Sequence, residues 1–202
     1  RSLVGRGPLE HPLRRSSGQA MIPPATILCL GDSLTAGQTP SGEFVGLMRG
    51  ARLEGAPLSS SRSYVRRLRK VLGENARSYD AIVVLGGTND LWRLDADRIL
   101  ADLAATHDLA ATRARRVLSV TIPPFDPPIL RHFGSAFVHK VDACRQHVNA
   151  ELRSTSTSLF DLDLLSTADP ITFRRDDGIH FSKDGYLAFG AALQDFLCCC
   201  VG

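Results

Sequence analysis

Four things are scarce in this chain of 202 residues, and each scarcity removes a class of function. No apolar stretch approaches the ~20 residues that a membrane-crossing helix requires, so stable membrane insertion is not expected. The five cysteines, Cys29, Cys144 and the run Cys198, Cys199 and Cys200, do not space out as a disulfide framework. That distribution suits a reducing compartment, cytoplasmic or organellar, better than secretion, and the basic N-terminus lacks the apolar core of a secretory signal. Net charge is also small. Residues 1–20 carry four arginines, Arg1, Arg6, Arg14 and Arg15, against Glu10 alone, which accounts for the entire formal +3. A neutral body from residue 21 onward has no basic stripe for nucleic acid. Finally, no GxxxxGK[ST] or GxGxxG loop follows any apolar run, which argues against a nucleotide binder.

With 44% hydrophobic and 22% charged residues, the chain can bury a substantial single core. The expected organisation is a disordered basic arm over 1–20 and one domain over 21–202. Clustered terminal cysteines invite a lipidation reading, but the prenylation pattern is missing. They are expected to be small, partly buried thiols at a helix end.

Four short β-branched or aliphatic runs end at turn signals: "ATILCLG" (25–31), "DAIVVLGG" (80–87), "RVLSVTIPP" (116–124) and "SLFDLD" (158–163). Helical spacing fills the intervals, at Tyr64, Leu68, Val71 and Leu72, at Ile99, Leu103 and Leu109, and over 136–154 and 182–197. Strands buried on both faces and alternating with helices predict a parallel sheet covered on both sides. Ligands of such sheets gather beyond the carboxyl ends of the strands. The segment 38–62 contains no convincing strand and reads as shortened.

Three motifs fall at strand ends or near the C-terminus. "GDSLTAG" places Ser33 where an apolar run breaks into small residues. Ser and Asp also cap helices at such turns, so Ser33 alone does not decide between nucleophile and turn residue. "GGTND" follows the most apolar run and offers the Asn89 amide, either as a donor to a developing oxyanion or as a turn-closing group. "RRDDGIHFS" sets His180 three residues after Asp177, so an acid can orient a base within one turn. The adjacent Asp176 leaves the identity of that acid ambiguous. One His with neighbouring acids is not a metal-ligand set of familiar spacing. The histidines at 11, 107, 132, 139 and 147 are read as solvated.

The ordered set "GDSLTAG", "GGTND" and "DDGIHFS…GY" resembles the SGNH hydrolases, also called the GDSL esterase/lipase family. The resemblance implies a three-layer α/β/α sandwich around a flavodoxin-like parallel sheet of four to five strands. It also implies hydrolysis of carboxylic esters (short acyl, lipid or acetylated sugar) through an acyl-enzyme, with no cofactor. Ser33 matches the nucleophile, His180 the base and Asp177 its orienting acid. The Ser33 N–H and the Asn89 amide match oxyanion donors, Asp32 braces the turn, and Gly87 lies beside Asn89. Tyr186 and Phe181 are read as packing residues around the catalytic turn. A further family donor, a glycine N–H, falls at or near Leu58 when counted back from Arg67-Leu68, with Gly55 the nearest glycine. If that donor is lost, the chain is instead a catalytically impaired binding or scaffold domain. The loop "TIPPFDPPILRHFG" (121–134) is expected to line the pocket, with Phe125 and Ile129 serving either as an apolar acyl site or as core cover.

Overall fold

The computed structural model describes residues 26–48, 51–74, 78–129 and 133–199. The predicted basic arm lies outside them. Five parallel strands form one sheet in the order β2-β1-β3-β4-β5, made of Ile27–Gly31 (β1), Arg52–Gly55 (β2), Ala81–Leu85 (β3), Val117–Val120 (β4) and Leu159–Phe160 (β5). The helices are Ser33–Ala36 (α1), Tyr64–Glu74 (α2), Ala96–Ala111 (α3), Ser135–Thr155 (α4), Leu162–Ala168 (α5) and Lys183–Cys199 (α6).

Period-two alternation divides the strands between two cores. Leu28 and Leu30 of β1, with Ile82 and Val84 of β3, face α2, α3 and α4, meeting Tyr64, Leu68, Ile99, Leu103, Val141 and Val148. Cys29, Ala81, Val83 and Leu85 face the other way, against Leu34 of α1 and Tyr186, Phe189, Leu193 and Leu197 of α6. All five residues of β3 are buried, as a central strand covered on both faces requires. The result is a three-layer α/β/α sandwich around a five-stranded parallel sheet, as expected. Burial in the Cys29 core pushes that thiol up to about 12, so it packs as an apolar group.

Two expectations need correction. Segment 38–62 does contain a strand: β2 pairs in parallel with β1, from Leu28 opposite Arg52 to Gly31 opposite Gly55. It escapes periodicity because "RLEG" at a sheet edge is half-buried at every position and carries an Arg52–Glu54 ion pair at 2.9 Å. The thiols of Cys198 and Cys199 are exposed, since the buried stripe of α6 runs through residues 186, 189, 193 and 197 and leaves the two residues that follow outside it, and Cys200 lies outside the described residues.

Gly55 has a packing reason to be glycine. A Cβ there would stand 2.2 Å from the Ala36 nitrogen and 2.6 Å from its Cα, so the end of β2 lies directly against α1. Gly55→Val is therefore expected to lower the urea midpoint by an amount worth about 1–3 kcal/mol of overpacking. Gly73→Ala, in α2 where a Cβ meets nothing within 4 Å, is expected to raise it by up to about 1 kcal/mol. Shifts of the same sign in both variants would contradict this packing.

Candidate functional site

The turn after β1 is built by local chemistry. Asp32 caps α1, its Oδ1 accepting from the Leu34 N–H at 3.0 Å, and Gly37 ends the helix at φ 74°. Ser33, the first helical residue, therefore sits at the carboxyl end of β1 and is nearly buried.

Ser33 Oγ lies 2.8 Å from His180 Nε2 although the two residues are 147 positions apart. The other ring nitrogen, Nδ1, is 2.6 Å from Asp177 Oδ2. With Asp177 ionised, Nδ1 carries the proton and Nε2 is free to accept from the serine. Asp177 Oδ1 accepts from the Ile179 and His180 N–H groups, both at 2.8 Å. Partial burial works to raise the Asp177 pKa, but these three hydrogen bonds outweigh it and hold the carboxyl below its usual range. Asp176, the other sequence candidate, points elsewhere and pairs with Arg174 at 2.8 Å on the surface.

Asn89 sits in the turn after β3. Gly87 allows that turn with φ 102°, and its carbonyl accepts from the Asp90 and Leu91 N–H groups. The Asn89 amide donates to the Ser59 carbonyl at 3.1 Å, leaving one amide hydrogen for another acceptor. Asp90 reinforces this link: its carboxylate accepts from the Ser60 hydroxyl and from the Ser61 N–H, the latter at 2.7 Å. Arg67 Nη1 donates to the Gly31 carbonyl at 2.7 Å and to Ser59 Oγ at 3.2 Å, so the ends of β1 and β2 are tied to α2.

Between β2 and these contacts lies a tight turn closed by Ser59 N–H to the Ala56 carbonyl at 3.2 Å, with Pro57 and Leu58 at its centre. Leu58 has φ 57°, alone among the described non-glycine residues in being positive, and its side chain is 88% exposed. A proline followed by a positive-φ residue is the pattern in which glycine is favoured at the second position. Of the two sequence candidates, Leu58 thus has the glycine-like backbone, whereas Gly55 lies within β2.

The 121–129 loop also meets the Asp177–His180 turn. Asp126 N–H donates to the Gly178 carbonyl at 3.0 Å, and Asp126 Oδ1 pairs with the buried Arg175 at 2.7 Å. The Arg175 guanidinium lies 5.4 Å from the Phe181 ring centre. Phe181 and Tyr186 are fully buried and meet edge to face, and the Tyr186 hydroxyl donates to the Gln38 carbonyl at 2.8 Å. Ile129 is core cover, packed beneath Gly178. Ser59, Asp126 and Arg175 had no readable signal in the sequence as site residues, while Asp90 stood next to Asn89 and Arg67 served only as the anchor for counting back to Leu58.

Among the described residues no group of His, Cys, Asp or Glu side chains is arranged to hold a metal ion. None of the described helices is long and apolar enough to cross a membrane. A cavity of about 500 Å³ lies away from Ser33, between α3 and α4, and is lined in part by His107, Ser119 and Ser156. His107, expected to be solvated, is half-buried there, and that partial burial lowers its pKa.

The sequence model of the GDSL-like lipase/acylhydrolase family matches residues 29–188. The chain belongs to that family. It is thus a carboxylic ester hydrolase of GDSL type, and the turns carrying Ser33, Asn89 and His180 lie at one rim of the sheet. No curated protein matches the chain. Solved structures share the fold: the native aryl esterase of M. smegmatis (21% identity, TM-score 0.67) is matched over 85% of this chain and 97% of that one. A lipase/acylhydrolase from Enterococcus faecalis (23%, 0.62) is matched over 86% and 95%, and a carbohydrate acetylesterase family member from Sinorhizobium meliloti (18%, 0.63) over 86% and 99%.

Asp32 is fully buried, and its Oδ2 and the Thr88 hydroxyl both lack a well-formed hydrogen bond. Burial raises its pKa from the ordinary 3.8 to about 6, only partly offset by the Leu34 N–H. The folded state therefore holds this proton more tightly than the unfolded chain. The associated stability is complete below pH 3.8 and is lost as pH rises through about 6. Asp32→Asn keeps the acceptor for Leu34 and removes the charge. Its stability relative to wild type is expected to improve by on the order of 3 kcal/mol between pH 4 and pH 7 in denaturant titrations. A difference that stays constant with pH would contradict a costly buried carboxylate.

Proposed function

We propose that the chain hydrolyses carboxylic esters through an acyl-enzyme on Ser33, with His180 as the base and Asp177 as its orienting acid. The observation that carries this reading is the continuous hydrogen-bonded chain from Asp177 through His180 to Ser33 Oγ. Ser33 Oγ attacks the acyl carbon while its proton passes to His180 Nε2. The tetrahedral oxyanion is received by the Ser33 N–H, by the free amide hydrogen of Asn89 and by the Leu58 N–H. His180 then gives its proton to the departing alkoxide, leaving the acyl group on Ser33. Water, deprotonated by the same imidazole, attacks the acyl carbon, and the acid leaves as Ser33 recovers its proton. The reaction so written needs neither metal nor organic cofactor.

The reading as an impaired binding domain rested on a segment without its strand. The presence of β2, and of a glycine-like backbone at Leu58, supports the active form instead. Short acyl, lipid and acetylated sugar esters all share this chemistry.

Hydrolysis of p-nitrophenyl acetate tests the assignment. Ser33→Ala is expected to reduce kcat by at least ~10⁴-fold. Asn89→Ala should cost about 100- to 1000-fold in kcat with a smaller change in KM, because the oxyanion exists only after attack. Leu58→Gly should keep kcat and stabilise the fold by up to about 1 kcal/mol by relieving the left-handed leucine. Turnover surviving in Ser33→Ala would exclude the nucleophile, and a large kcat loss in Leu58→Gly would exclude the proposed turn.

A further inference from the structure

The rim of the sheet carries an aromatic cluster that neither core needs in full. Trp92, three residues beyond Asn89, has its ring centre 4.9 Å from that of Phe133, in a stacked arrangement, and 5.2 Å and 5.8 Å from those of Phe125 and Phe137. Phe133 and Phe137 are 49% and 41% exposed, a heavy exposure for side chains of this size lying next to each other. Phe125 precedes Asp126, whose N–H holds the Gly178 carbonyl two residues before His180. The cluster therefore bridges the Asn89 turn and the turn that carries His180. The carboxylates flanking it along the chain are engaged elsewhere, Asp90 with Ser60 and Ser61 and Asp126 with Arg175.

We infer that Trp92, Phe133 and Phe137 form a subsite for a planar, apolar group of the substrate, so that aromatic esters are preferred over small aliphatic ones. This rests on the ester-hydrolase reading for its kinetic consequence, though not for binding itself. A ring entering beside Trp92 removes the exposed faces and edges of these phenylalanines from water and stacks offset or edge-on against them, a gain that a vinyl or methyl group does not share. A flat ring also loses little conformational freedom on docking.

Three substrates separate the arms: vinyl acetate as the small ester, phenyl acetate with the ring on the leaving side, and vinyl benzoate with the ring on the acyl side. The ratio of kcat/KM for at least one aromatic ester to that for vinyl acetate is expected to be about tenfold lower in Phe133→Ala/Phe137→Ala than in wild type. A ratio untouched by the double substitution would overturn the subsite. Trp92 is the single tryptophan of the chain, so its fluorescence reports the same site without turnover. In Ser33→Ala, titration with phenyl acetate or methyl benzoate should change that fluorescence saturably, and the change should weaken in Ser33→Ala/Phe133→Ala/Phe137→Ala. A response to phosphatidylcholine vesicles with none to either ester would assign the patch to a lipid surface and overturn the inference. Saturable binding in a protein that hydrolyses none of the three esters would sustain the subsite and remove the ester-hydrolase reading.

Discussion

The hydrogen bond between Ser33 and His180 is the contact on which the rest of this structure converges. It joins the end of the first strand to a turn near the last helix, and no local preference can form it. Its geometry is inherited from the sheet. β1 and β3 are in register from Ile27 opposite Ala81 to Gly31 opposite Leu85, so the Ser33 turn and the Asn89 turn leave the sheet side by side. The His180 turn is brought to the same rim by Phe181, Tyr186 and Phe189, which pack α6 beneath β1 and β3. A parallel sheet covered on both faces places its strand ends rigidly, and reacting groups set there need little ordering when substrate arrives.

Around that contact lies a shell of polar groups whose burial is costly to stability. Asp32 is buried with one oxygen poorly partnered, and Arg175 is buried with Nε and Nη1 unpaired, its charge met by Asp126 and the Phe181 ring. Such groups are poor choices for stability alone, since an apolar replacement of similar shape is often neutral or better. What they do here is fix three turns. Asp32 sets the Ser33 helix, Asp90 and Asn89 hold the Ser59–Ser61 segment, and Arg175 with Asp126 holds the turn that ends at His180. Each turn then has one position relative to the others, as preorganised electrostatic stabilisation demands.

Much of this architecture was legible in the sequence, for reasons that differ between elements. The four strands with continuous apolar runs declare themselves because both their faces are buried. β2 did not, because an edge strand with one arginine and one glutamate has no apolar period to read. The long helices followed from their 3.6-residue spacing, whereas α1 and α5 are too short to show one. Among site residues, Ser33, Asn89, Asp177 and His180 stood out because their side chains recur in ordered motifs. The choice between Asp176 and Asp177 needed coordinates, since both lie within reach of a turn and only hydrogen bonding separates them. Leu58 was located by counting, but its left-handed backbone could not be foreseen from a leucine. Arg67 reaches Gly31 across 36 positions of sequence and Asp126 meets Arg175 across 49, a range at which pairing leaves no trace in a single chain.

The central claim is that Ser33 is activated by His180 and Asp177 as one unit, and covalent capture tests it most directly. The protein would be treated with a fluorophosphonate, weighed intact and then mapped by peptide mass spectrometry. The account predicts one adduct, on the peptide containing Ser33, formed at a rate that drops at least a hundredfold in His180→Ala and in Asp177→Ala. An adduct on another serine, or labelling of Ser33 that is indifferent to His180, would contradict it.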